Sequence, residues 1–159
     1  IRLLALTADG LHASGRSRQV LTSSGVIENP VLVRHGRFWI LFTSEGDYSR
    51  CSYRTVYRRA LTPFGSWQAA TPHVFLSSDR QRLCGPGGAD VVRTSSRTLL
   101  YFHGWTCRNT RKPCANGLHA YQGRHASRLP VRSLYGLELG FTKGGFPKVK
   151  GWLKPVTKR

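Results

Sequence analysis

The sequence predicts an all-β fold of short strands: a partial β-propeller of about two and a half four-stranded blades. Three observations predict it. Hydrophobic residues make up 40% of the 159, and 17 Gly and 8 Pro interrupt them constantly, which suits short strands and tight turns better than a helical bundle. Two strand–turn–strand segments recur about sixty residues apart. Each is followed by further short strand-like runs, so one repeat holds four strands, the make-up of a propeller blade.

The first hairpin spans Asn29 to Phe42 and ends on Phe38-Trp39-Ile40-Leu41-Phe42. The second joins Ala89-Asp90-Val91-Val92-Arg93 through a Ser/Thr turn to Thr98-Leu99-Leu100-Tyr101-Phe102-His103. Their continuous apolar runs read as strands buried on both faces. Tyr53 to Ala60, a Thr62-Pro63-Phe64-Gly65 turn, Trp67 and His73 to Leu76 follow the first; Leu118 to Gln122 and a turn through Gly123 follow the second. Leu3 to Leu6, the Asp9-Gly10 turn and Gln19-Val20-Leu21 look like the outer half of a preceding unit. The chain is therefore read as one partial domain: outer strands of a preceding blade at 1–22, one blade at 26–78, another at 85–150, and a basic tail at 151–159. A β-sandwich also has short strands, but it does not oblige the pattern to recur.

Propellers close with about four to eight blades, which removes exposed sheet edges. Two and a half cannot close. The expectation is a piece of a longer protein, or self-association that completes the ring. Ile1 already lies in an apolar run and no signal-peptide core precedes it, so the N-terminus reads as a cut. No stretch approaches the roughly 18 apolar residues of a transmembrane helix.

Lys and Arg number 25 against 7 Asp and Glu, a formal charge of +18. Such a field attracts polyanions, whether nucleic acid, anionic headgroups or acidic polysaccharide. The charges are dispersed through separate turns and strands, and only 143–159 is a dense basic segment, so nucleic acid is not the favoured partner. Of four cysteines, Cys107 and Cys114 flank a polar loop that a disulfide could staple, leaving Cys51 and Cys84 for each other; free structural thiols are the alternative. Zinc-ligand spacing is missing. Paired cysteines favour an oxidising, extracellular compartment.

Glu28 is the acid that stands out. It sits among apolar residues in Gly25-Val26-Ile27-Glu28-Asn29-Pro30, just before a buried hairpin. Desolvation there disfavours the ionised form, which is how a glycosidase keeps a general acid protonated near neutral pH. A strand-entry acid paired with one of the many arginines is the competing reading.

Five segments occur in order along the chain: Val26-Ile27-Glu28-Asn29-Pro30, Phe38-Trp39-Ile40-Leu41-Phe42-Thr43-Ser44, Gly85-Pro86-Gly87-Gly88-Ala89-Asp90-Val91, Phe102-His103-Gly104-Trp105 and Lys143-Gly144-Gly145-Phe146-Pro147. In order and spacing they resemble glycoside hydrolase family 43, the arabinanases, arabinofuranosidases and xylosidases, and would form the C-terminal portion of that family's five-bladed ring. The resemblance implies Glu28 as general acid. It implies His103 beside the central channel, near a bound calcium or other ion, or else as a core histidine satisfied by a backbone carbonyl. Gly87 and Gly88 would belong to a channel-facing turn that lets a sugar approach, with Asp90 and Trp105 as further substrate contacts. A turn acid and a core aromatic are the competing readings of those last two residues.

Hydrolysis with inversion needs a second carboxylate about 6.5–9.5 Å from the acid. Only Asp9 precedes Glu28, in an expected outer turn, while Glu45 and Asp47 should face a loop. The expected function is thus a secreted family 43-like portion acting on arabinose- or xylose-containing polysaccharide or oligosaccharide, inactive unless the missing blades are supplied. The alternatives are a non-catalytic carbohydrate-binding propeller, acidic glycans included, and a basic binder of nucleic acid or anionic surfaces.

Overall fold

The computed structural model describes residues 1–81, 83–108, 112–114, 117 and 129–154. Its elements are β1 (Arg2–Leu3), β2 (Arg18–Gln19), β3 (Ile27–His35), β4 (Phe38–Glu45), β5 (Arg54–Ala60), β6 (His73–Leu76), a one-turn helix α1 (Ser78–Gln81), β7 (Gly87–Arg93), β8 (Thr98–Cys107), β9 (Pro130–Phe141) and β10 (Pro147–Trp152). They form three open antiparallel sheets: the β1–β2 ribbon, the meander β3-β4-β5-β6 and the meander β7-β8-β9-β10. This is the all-β arrangement that the repeated hairpins predict. The expected strand at 118–122 lies outside the described residues; the third strand of the second sheet is β9. Gly151 and Trp152 close β10, and 155–159 of the expected basic tail lie outside the described residues.

The period of two along β4 explains why its run is apolar without alternation. Ile40 and Phe42 face the second sheet, where they join Val33, Tyr57, Phe75 and Leu76 against Ala89, Leu100, Phe102, Leu137 and Leu139. Leu41 and Trp39 point the other way, into a smaller cluster with Leu21, Trp67, Val20 and Ile1 that fixes the N-terminal segment. Each large side chain so buried contributes about 1.5–3 kcal/mol relative to exposure, so the inter-sheet core dominates the stability of the pair. Polar bonds add register: Thr55 Oγ1 donates to the Pro86 carbonyl at 3.1 Å, and the Gly88 amide donates to Ser44 Oγ at 2.8 Å.

The two meanders are built alike at one end. The first strand of each carries a bulge, between Glu28 and Val31 in β3 and between Gly87 and Asp90 in β7. Inside each bulge sits a left-handed residue, Asn29 at φ 51° and Gly88 at φ 64°, residue types that tolerate that region. Glu28 pairs with Ser44 and Gly87 pairs with His103. Glu28 and Gly87 thus occupy equivalent positions in successive repeats.

Two disulfides, Cys51–Cys84 and Cys107–Cys114, are present, which resolves the open pairing. The first links the β4–β5 loop to the segment entering β7, so it ties the two sheets at the bulged end. Among the described residues no helix is long and apolar enough to cross a membrane.

Candidate functional site

The two bulges place Glu28 and His103 around one side chain, Tyr53, which sits just before β5 and is 1% exposed. Its hydroxyl donates to Glu28 Oε1 at 2.6 Å. Its ring stacks on His103 with centroids 6.3 Å apart and planes 6° from parallel. Burial, and then the bond to Glu28, push the Tyr53 phenol up to about 12, so it stays protonated and donates.

Arg132 enters from β9, whose register sets it opposite Trp105. Its guanidinium lies 4.9 Å from the Trp105 ring centroid and 5.4 Å from that of Tyr53. It also contacts His103 Nδ1 and donates to the Tyr48 carbonyl. A guanidinium has donors only, so Nδ1 accepts and the neutral ring carries its proton on Nε2. Burial, with the Arg132 charge second, holds His103 below its ordinary value. Arg132 Nε is buried without a hydrogen-bond partner among the described residues.

The sign of the His103 effect gives a stability prediction. The unfolded chain takes up this proton near its ordinary 6.5, whereas the folded ring resists until lower pH. Stability is therefore complete above about 6.5 and is lost as pH falls below it. Denaturant midpoints measured from pH 7.5 downward should decline across that window, and His103→Asn should flatten the decline. An unchanged slope in the variant would show that His103 is not the group responsible.

The glycines are small for a reason internal to the chain. A Cβ on Gly87 would stand 2.1 Å from Tyr53 Cε1, and one on Gly88 would stand 2.1 Å from His103 Nε2. The space expected to admit a sugar is filled, at these two points, by the Tyr53 and His103 rings. Trp105, expected to stack on a sugar, is 6% exposed, lies beneath Arg132 and donates through Nε1 to the Tyr48 carbonyl at 2.8 Å. It packs with both disulfides rather than offering an open face. Asp90 lies three residues beyond Gly87, exposed, its carboxylate accepting from the adjacent Val91 amide at 2.8 Å.

The other acids near this end are engaged elsewhere. Glu45 pairs with Arg58 at 3.1 Å and Arg54 at 3.5 Å. Asp47 caps its own loop, with the Ser49 hydroxyl and amide holding its carboxyl low. Asp9 accepts from Thr7 and from the Leu11 amide in an exposed turn. Calcium takes about six to eight oxygen ligands. Here one carboxylate, already bonded to Tyr53, stands near a histidine whose Nδ1 faces a guanidinium, and no group of three His, Cys, Asp or Glu gathers among the described residues.

Two bulged meanders packed face to face, with equivalent inner strands, define part of a β-propeller. Solved structures of that class resemble it over nearly its full length. A thermostable family-43 glycoside hydrolase matches with a TM-score of 0.66 at 21% identity, over 94% of this chain and 46% of that one. An exo-1,5-α-L-arabinanase from a bovine ruminal metagenomic library matches at 0.65 and 19%, over 94% and 48%. A Cellvibrio cellulosa α-L-arabinanase complexed with arabinohexaose matches at 0.63 and 19%, over 94% and 49%. The chain spans about half the length of the structures it matches. No protein-family model matches the sequence, and no curated protein matches it significantly. The likeness establishes the fold.

Proposed function

We propose that this chain is a family 43-like portion of a secreted glycosidase acting on arabinose- or xylose-containing polysaccharide, with Glu28 as the general acid. The observation that supports this reading is the Glu28–Tyr53 bond at the mouth of the β3 bulge, at the meeting of the two sheets. A general acid must hold one oxygen fixed while the other delivers its proton to the departing glycosidic oxygen. Tyr53 does the fixing from a ring that His103 and Arg132 hold in turn. Arg132 and neutral His103 supply donors for sugar hydroxyls without a second negative charge beside the acid. The water-activating carboxylate comes from blades beyond this chain, and the two disulfides suit an extracellular setting.

The same cluster, with Glu28 as its one carboxylate among the described residues, favours carbohydrate binding without turnover as the second reading when the chain stands alone. One experiment tests the shared premise. The chain is titrated with arabinohexaose while its backbone and indole NMR signals are followed. Shifts should concentrate at the backbone amides of Glu28, Asn29 and Arg132, and cellohexaose should produce far smaller ones. Shifts confined to other surfaces, or equal shifts with cellohexaose, would remove this end of the sheets as the glycan site.

A further inference from the structure

The opposite end of the sheets carries a different kind of site. From Glu28 to Arg34 the strand β3 travels six residues, about 20 Å at strand rise. There the β3–β4 and β7–β8 turns and the edge strand β10 border an open cleft of about 610 Å³. Arg34, Arg93, Arg97, Lys148 and Lys150 line it, against one acid, Glu138, which Lys150 already neutralises. Arg34, Arg93, Arg97 and Lys148 have no ion pair among the described residues. The cleft is built rather than incidental. Arg93 donates to the Arg34 carbonyl, joining the two turns. The stems of Lys148 and Lys150 lie side by side across Gly140, where a Cβ would come within 3.4 and 2.7 Å of them. Thr94, Ser95 and Ser96 add hydroxyls along one wall.

We propose that this cleft binds an acidic polysaccharide through its carboxylates, anchoring the protein to a charged polymer away from the Glu28 cluster. Clustered cations without counterions gain from a polyanion by releasing its condensed ions. Two observations favour a glycan over nucleic acid. Single-stranded nucleic acid sites rely on aromatic platforms, and the aromatic rings of the lining, His35 and Phe141, are stacked on each other at 4.4 Å. The two disulfides are also compatible with an oxidising, extracellular compartment, away from cytosolic and nuclear nucleic acid. The proposal stands independently of the reading of Glu28.

The test measures binding of the whole chain to a polygalacturonate oligomer over a range of salt, with neutral arabinan as control. Arg97→Gln with Lys148→Gln should weaken uronate binding about tenfold or more and lower the log–log salt slope by about two. Arg16→Gln with Arg18→Gln removes the same charge from an exposed segment outside the cleft and should change affinity less than about twofold. Equal losses in the two pairs would mean diffuse attraction by net charge and overturn the proposal. So would tighter cleft-dependent binding of a single-stranded oligonucleotide than of the uronate at equal salt, or no uronate binding at low salt.

Discussion

Replacing Cys51 and Cys84 by Ala should cost about 3–4 kcal/mol of unfolding free energy, the loop-entropy value for this separation of 33 residues. Domains of this size are stable by only about 5–15 kcal/mol, so the loss is a large fraction of the total. The bond closes the longer of the two disulfide loops and also spans the two sheets. Around it, Ser78 Oγ donates to the Cys51 carbonyl and accepts from the Gly85 amide, while the Trp105 amide donates to the Cys84 carbonyl at 2.8 Å. The Cys107–Cys114 bond closes a separation of 7, and its removal should cost about 2 kcal/mol. Guanidinium unfolding of the two double variants measures both. The ordering carries the argument: a smaller loss for the Cys51–Cys84 pair would mean that this bond contributes little to holding the sheets together.

Much of this fold was legible because it is written twice. The apolar runs of β4 and β8 are long enough to mark strands buried on both faces, and the segments that follow them repeat. The bulged ends were harder to read. Glu28-Asn29-Pro30-Val31 and Gly87-Gly88-Ala89-Asp90 share no residue in register, yet they share a backbone, because Asn29 and Gly88 both adopt the left-handed region. The common signal is conformational: one position in each segment held by a residue type that accepts positive φ.

The site divides in the same way. Glu28 and His103 could be found from local context, since each lies in a recognisable segment. Tyr53 read only as the start of a strand, and its role depends on which bulge its hydroxyl meets across the sheet. Arg132 was invisible among 25 Lys and Arg. It reaches His103 through the β8–β9 register, a strand pairing that the sequence alone does not set. Gly87 and Gly88 are expected to be small so that a sugar can approach, whereas the neighbours that leave no room for a Cβ are Tyr53 and His103, visible only in three dimensions.

Glu28→Gln carries the second large effect and tests the central claim most directly. Glutamine keeps the shape and can still accept from Tyr53, but it has no proton to deliver. General acid catalysis contributes roughly 10²–10⁴-fold where the leaving group is a poor one. In a ring-complete protein containing this chain, release of arabinose from arabinan should therefore fall by about that factor. Hydrolysis of a nitrophenyl arabinoside should survive far better, because its leaving group departs without protonation. The decisive measurement is the ratio of those two rates in wild type and variant. A ratio shifted at least about a hundredfold against the polymer is the predicted result. Equal losses on both substrates, or full activity on arabinan, would contradict a proton-donating role for Glu28.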